Sequence, residues 1–190
     1  VFNKLLITHL GKEMKTKILL LVTVLILGLS PGYSQLNNQK RKEFRTQRKL
    51  KLEAKIDQLV NSKNFVFEGK TALPSGGAAI DLTTNYNSVK FTSEKITSYM
   101  PFFGEAYSVE YGGDSGFKFE AKPEVFDIKK LKKGKGYAVD VKVTLPRENI
   151  ELQLNIGSQG MATMTILSYN RKPISYFGSI REPDKTKEVK

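Results

Sequence analysis

The feature that most constrains this chain is a change of hydrophobic period at Asn64. Before it, Leu52, Ile56, Leu59 and Val60 recur at the i, i+4, i+7, i+8 spacing of one helical face, in a stretch without proline or glycine. After it the period becomes two and stays so to about Ile180. Tyr137, Val139, Val141 and Val143 alternate with Ala138, Asp140, Lys142 and Thr144, the pattern of a half-buried strand. Ile150, Leu152, Leu154 and Ile156 repeat it, followed by Ala162, Met164 and Ile166, and then by Ile174, Tyr176 and Ile180. Four-residue links such as Pro146–Asn149, Gly157–Gly160 and Asn170–Pro173 join these runs. A parallel crossover needs about a dozen residues or more, so the neighbours must be antiparallel.

The fold class that follows is α+β. One amino-terminal helix over 35–63 packs on a largely antiparallel sheet of about eight strands over 64–181, curled into a sandwich or partial barrel. Asn64 is placed to end the helix in a left-handed cap. Residues 182–190 are charged and unpatterned, a loose tail.

The first 34 residues read as an address. Lys15 and Lys17, the apolar run Ile18–Leu29 and then Ser30-Pro31-Gly32-Tyr33-Ser34 have the three-part form of a secretory signal peptide cut before Gln35. The apolar run spans only ~18 Å of a ~30 Å hydrocarbon core, so no transmembrane span is expected after cleavage. The expected start of translation is Met14, and the expected location is periplasmic or secreted. Removing 1–34 takes Lys4, Lys12, Lys15 and Lys17 against Glu13, and the charge falls from +12 to +9.

His9, the only histidine, leaves with that segment, and the chain has no cysteine. Imidazole and thiolate chemistry are thereby excluded from the mature chain, together with histidine or cysteine metal sites and disulfides. No cofactor and no metal are expected, and no residue is assigned a catalytic role. Catalysis would rest on carboxylates, hydroxyls or lysines, and the candidates nearest the mid-chain aromatic cluster are Glu105, Glu110 and Asp114; paired carboxylates suffice for glycan hydrolysis. Gly112-Gly113-Asp114-Ser115-Gly116 reads as a turn and matches no complete ion-binding loop.

Two stretches are candidate sites. Ser98-Tyr99-Met100-Pro101-Phe102-Phe103-Gly104 makes a stiff aromatic corner, in which Tyr99, Phe102 and Phe103, with Tyr107 beyond, either plug the core or form an exposed ligand platform. Ser175-Tyr176-Phe177-Gly178 is a possible counterpart, which would make the corner an internal clasp. Lys129, Lys130, Lys132, Lys133 and Lys135 form the densest charge cluster outside the helix. They read either as an anion site or as a solvated loop that discourages strand-edge pairing. In an exported protein the partner would be an anionic glycan, a lipid headgroup or an envelope protein; nucleic acid is not expected.

The order of leader, basic helix, paired phenylalanines, Met100-Pro101-Phe102-Phe103-Gly104 and Ile174-Ser175-Tyr176-Phe177-Gly178-Ser179-Ile180 resembles the bacterial exported domain-of-unknown-function family 4251, over about Phe65 to Ile180. That family's corner usually reads Leu-Pro-Tyr-Phe-Gly, from which Met100 and Phe102 depart. The resemblance implies export and a compact β-rich domain, and transfers no site residue. The function expected is a non-catalytic binding or envelope-associated domain. The alternatives are a carboxylate-based glycan hydrolase and a structural subunit of an envelope assembly.

Overall fold

The computed structural model describes residues 17, 32–107, 116–132 and 135–184. The expected leader lies outside them except for Lys17 and residues 32–34, and so do Glu110, Asp114, Lys133 and residues 185–190. The chain divides into two compact units, 1–48 and 49–190. Helix α1 (Gly32–Asn61) begins in the first unit and ends in the second. No helix among the described residues is long and apolar enough to cross a membrane.

In the second unit Ile56, Leu59 and Val60 are buried, as the helical spacing marks out, whereas Leu52, the first position of that face, is exposed. The helix closes with the amide of Ser62 on the carbonyl of Gln58 (3.0 Å) and that of Lys63 on Val60 (3.0 Å). The left-handed residue is Lys63 (φ 53°), not Asn64. In that conformation the Lys63 ammonium reaches the carbonyl of Phe126 (3.2 Å) and lies over its ring. Those contacts help offset the strain of a left-handed non-glycine residue.

The rest is one ten-stranded antiparallel sheet: β1 (Phe65–Pro74), β2 (Ile80–Asp81), β3 (Ser88–Phe91), β4 (Ile96–Met100), β5 (Phe117–Ala121), β6 (Val125–Lys130), β7 (Tyr137–Thr144), β8 (Asn149–Ile156), β9 (Met161–Ser168) and β10 (Ile174–Arg181). The order across it is β5-β4-β3-β1-β10-β9-β8-β7-β6, with β2 added on β1. Its two edge strands are consecutive in sequence, joined only by Lys122, Pro123 and Glu124. Nine flat strands would separate those edges by roughly 38 Å, whereas the four-residue step from Ala121 to Val125 reaches at most ~14 Å. The sheet therefore has to curl, and it forms a half-barrel rather than two stacked sheets.

The hollow side of the curl is the core. Phe65, Phe67, Phe91, Ile96, Met100, Phe117, Leu152, Leu154, Met164 and Tyr176 are fully enclosed there. Phe65 stacks on Phe91 (4.8 Å), and Phe91 meets Phe126 of β6 edge-on (6.2 Å), so rings bridge the side where strand pairing stops. Polar groups carried inward are paired. The hydroxyl of Ser98 donates to the carbonyl of Phe117, and the amide of Asn87 donates to Leu82 and Asn85. No buried side-chain nitrogen or oxygen among the described residues lacks a partner.

β1 joins the early strands to the late meander by pairing with β10 from Val66↔Arg181 to Pro74↔Ile174, around an irregularity between Gly69 and Thr71. Gly178 permits this pairing. A Cβ there would stand 1.9 Å from the carbonyl oxygen of Glu68.

β6 was not expected as a strand; apolar Val125 on its outward side and Lys130 on its inward side break the alternation that Phe126 to Lys129 keep. Just past the corner, Ala106 makes an isolated antiparallel bridge with Arg171.

Candidate functional site

The corner residues separate by strand parity. On β4, Ile96, Ser98 and Met100 face the core, which turns Thr97 and Tyr99 outward. Tyr99 is 56% exposed and lies under the ammonium of Lys118 (5.4 Å). Phe102 turns back inward, with only 8% exposed, and packs edge-on against Phe117 (5.4 Å). Gly104 makes room for this fold-back, since a Cβ there would stand 2.9 Å from the Phe102 ring. Phe103 is half-buried against the core and Tyr107 is 68% exposed. The four aromatics do not share one surface.

The corner is held by Arg171 and Tyr176. The Arg171 guanidinium lies 5.4 Å from the Phe102 ring and 4.7 Å from Phe117, pairs with Glu148 (3.4 Å) and donates to the carbonyl of Gly116. Glu148 also accepts from the hydroxyl of Ser168. Tyr176, fully enclosed, donates to the carbonyl of Pro101 (2.5 Å), and burial pushes its phenol well above the ordinary range. Main-chain bonds from Tyr107 to Asn170 (2.8 Å) and from Lys172 to Glu105 (3.0 Å) complete the attachment. Lys172 and Glu105 also form an ion pair at 2.7 Å.

The lysine cluster is also divided. Lys129 and Lys130 sit on edge strand β6 and point to opposite faces. Lys129 pairs with Asp127 (2.8 Å) and Lys130 with Asp57 of the helix (3.0 Å). Lys132 and Lys135 are exposed. The Asp57 carboxylate also accepts from Tyr137 (2.5 Å), and that bond, ahead of Lys130, holds its pKa low.

The described carboxylates with displaced pKa values all move down, each through a hydrogen bond to the ionised form. Tyr137 acts first on Asp57, Thr83 on Asp81, Lys95 on Glu120, Lys129 on Asp127 and Gln153 on Glu151. Asp127 and Asp140 stand directly opposite each other on the outward side of β6 and β7. They are the one pair of carboxylates in direct cross-strand register among the described residues.

A concavity that no sequence motif marked lies on the outward side of β7, β8 and β9. It is an open cleft of about 410 Å3 lined by Glu124, Lys142, Val143, Thr144, Asn149, Ile150, Glu151, Leu167, Ser168 and Tyr169. Strand register builds it, since Lys142, Glu151 and Leu167 are cross-strand partners in one row and Thr144 faces Asn149 in the next. Glu151 pairs with Lys142 (3.3 Å) and accepts from Gln153 (2.8 Å). Tyr169, just past β9, is 87% exposed. The outward positions of Lys142 and Glu151 follow from alternation alone, but their meeting depends on register.

A family model described as "Domain of unknown function (DUF4251)" matches residues 47–180. The crystal structure of a DUF4251 family protein from Bacteroides eggerthii is 17% identical, covers 69% of this chain and 87% of its own, and superposes with a TM-score of 0.53. That likeness shows the fold. No curated protein matches the chain.

Proposed function

We propose, from the premise that this chain belongs to the DUF4251 family, that it is an exported, non-catalytic domain that associates with an anionic surface of the bacterial envelope through helix α1. The leader pattern of Met14–Ser34 supports export. One observation carries the association. From Lys40 to Lys51 the helix bears Lys40, Arg41, Lys42, Arg45, Arg48, Lys49 and Lys51 against Glu43 alone, and every side chain from Gln39 to Leu52 is exposed. A single exposed cation contributes little, but basic residues beside an anionic leaflet contribute about 1 kcal/mol each and act together. Phe44, exposed in the middle of this run, adds a ring that can enter an interface.

The glycan-hydrolase alternative lacks comparable support. A general acid at a sugar bond needs a carboxyl whose pKa is raised, whereas Asp127 of the facing pair is lowered by Lys129, and Glu151 of the cleft is lowered by Gln153 and by Lys142.

The test is co-sedimentation with vesicles containing about one-third phosphatidylglycerol, beside a soluble sulfated glycan, at roughly 50 and 500 mM salt. Binding to the vesicles identifies lipid headgroups as the surface, and binding to the glycan alone identifies a polyanionic polymer. Either should be lost at the higher salt and on replacing Arg41, Arg45 and Arg48 with glutamate. Absence of binding to both at low salt overturns the proposal.

A further inference from the structure

We infer that the outward cleft of β7, β8 and β9 is a binding site for a neutral saccharide. This site goes beyond the helix reading and uses none of the helix's cations. The chain is strongly basic, yet the cleft's charged lining is Glu124 and Glu151 against Lys142, a local excess of negative charge. An anionic ligand would be repelled there. A neutral polyol offers what the lining accepts, hydroxyl groups that both donate and accept.

Glu151 is kept ionised by the Gln153 amide and by Lys142, so it acts as an acceptor for paired hydroxyls. Lys142 donates, and the Asn149 amide does both. The volume of about 410 Å3 falls within the ~300–1,000 Å3 usual for small-ligand sites.

Tyr169 supplies the apolar face. The main chain beside it is pinned, because the Asn170 amide donates to the hydroxyl of Ser168 (3.0 Å) and the Asn170 side chain donates to the carbonyl of Arg147 (3.1 Å). The Asn170 carbonyl accepts from Tyr107 (2.8 Å). An exposed ring carried on a fixed backbone can cover the C–H face of a pyranose with little main-chain ordering left to do. Leu167, in the same lining, extends the apolar patch.

The experiment titrates the full exported domain with neutral tetrasaccharides of glucose, of mannose and of N-acetylglucosamine, read by amide resonances in NMR at roughly 50 and 500 mM salt. At least one should saturate with shifts centred on Lys142, Glu151 and Tyr169, and with an affinity that changes less than about two-fold between the two salts. Tyr169→Ala and Glu151→Gln should each weaken it by about ten-fold without lowering the melting temperature. Vesicle binding through the helix should survive both substitutions, which separates failure here from failure of the helix reading. The inference is overturned if none of the three binds up to ~10 mM, or if binding persists in both variants.

Discussion

The hydroxyl of Tyr176 donates a 2.5 Å hydrogen bond to the main-chain carbonyl of Pro101. It fastens the middle of β10 to the corner that follows β4, across 75 residues of sequence. Both stretches pair aromatics with a glycine, and the geometry supplies the reason. Gly104 lets Phe102 fold back over it, and Gly178 lets β10 approach Glu68. The corner is a clasp between the early strands and the late meander.

Tyr176→Phe should therefore destabilise the domain by about 1–2 kcal/mol, since it leaves a carbonyl without its donor. That corresponds to a melting temperature lower by roughly 2–8 °C. Burial raises the folded-state pKa of this phenol, so its contribution is full below the unfolded value of ~10 and is lost as pH rises beyond it. Denaturation midpoints of wild type and variant should converge above about pH 10. A gap that stays constant to pH 11 would show that the phenol does not titrate with unfolding.

Gly178→Ala tests the β1–β10 pairing. A Cβ 1.9 Å from the Glu68 carbonyl oxygen cannot be accommodated by a side-chain rotation, because both sides of the clash are backbone. The variant should lose several kcal/mol, at the extreme of what single substitutions do, and fail to give a cooperative melt. A shift under about 1 kcal/mol would mean that the two strands part more easily than their register implies.

The late meander was legible in the sequence because each strand from Tyr137 to Ile180 is buried on one side, so alternation reports directly on facing. The helix face at Ile56, Leu59 and Val60 was legible for the same reason at its own period. β6 was not, because an edge strand that carries Asp127, Lys129 and Lys130 protects itself with charge and looks like a loop. The cleft was invisible for another reason. Lys142, Glu151 and Leu167 become neighbours only through cross-strand register, a long-range property that composition and spacing do not encode.

Phe102 and Tyr99 separate the two roles once open to the corner. Phe102→Ala should cost about 3 kcal/mol, because it removes a buried ring from between Phe117 and Arg171 and leaves a cavity. Tyr99→Ala, on the outward face, should stay within about 0.5 kcal/mol. Urea midpoints of the two variants decide it, and equal losses would undo the assignment of Phe102 to the core.

Asp57 links the helix to β6 and β7, accepting from Tyr137 and Lys130. The Tyr137 bond, then that of Lys130, lowers its folded-state pKa, so its contribution is present above the unfolded value of ~3.9 and is lost as pH falls through the folded value. Its partners behave oppositely. Burial raises Tyr137 and the bond to Asp57 raises Lys130, so what they contribute is lost above about pH 10. Because the Asp57 and Lys130 side chains are about half exposed, screening keeps the effect small. Asp57→Asn should cost about 0.5–1 kcal/mol at pH 7, a deficit that shrinks as pH falls below the unfolded value of ~3.9, read from denaturation midpoints down to about pH 2. A deficit that persisted unchanged at pH 2 would place the loss in packing rather than in charge.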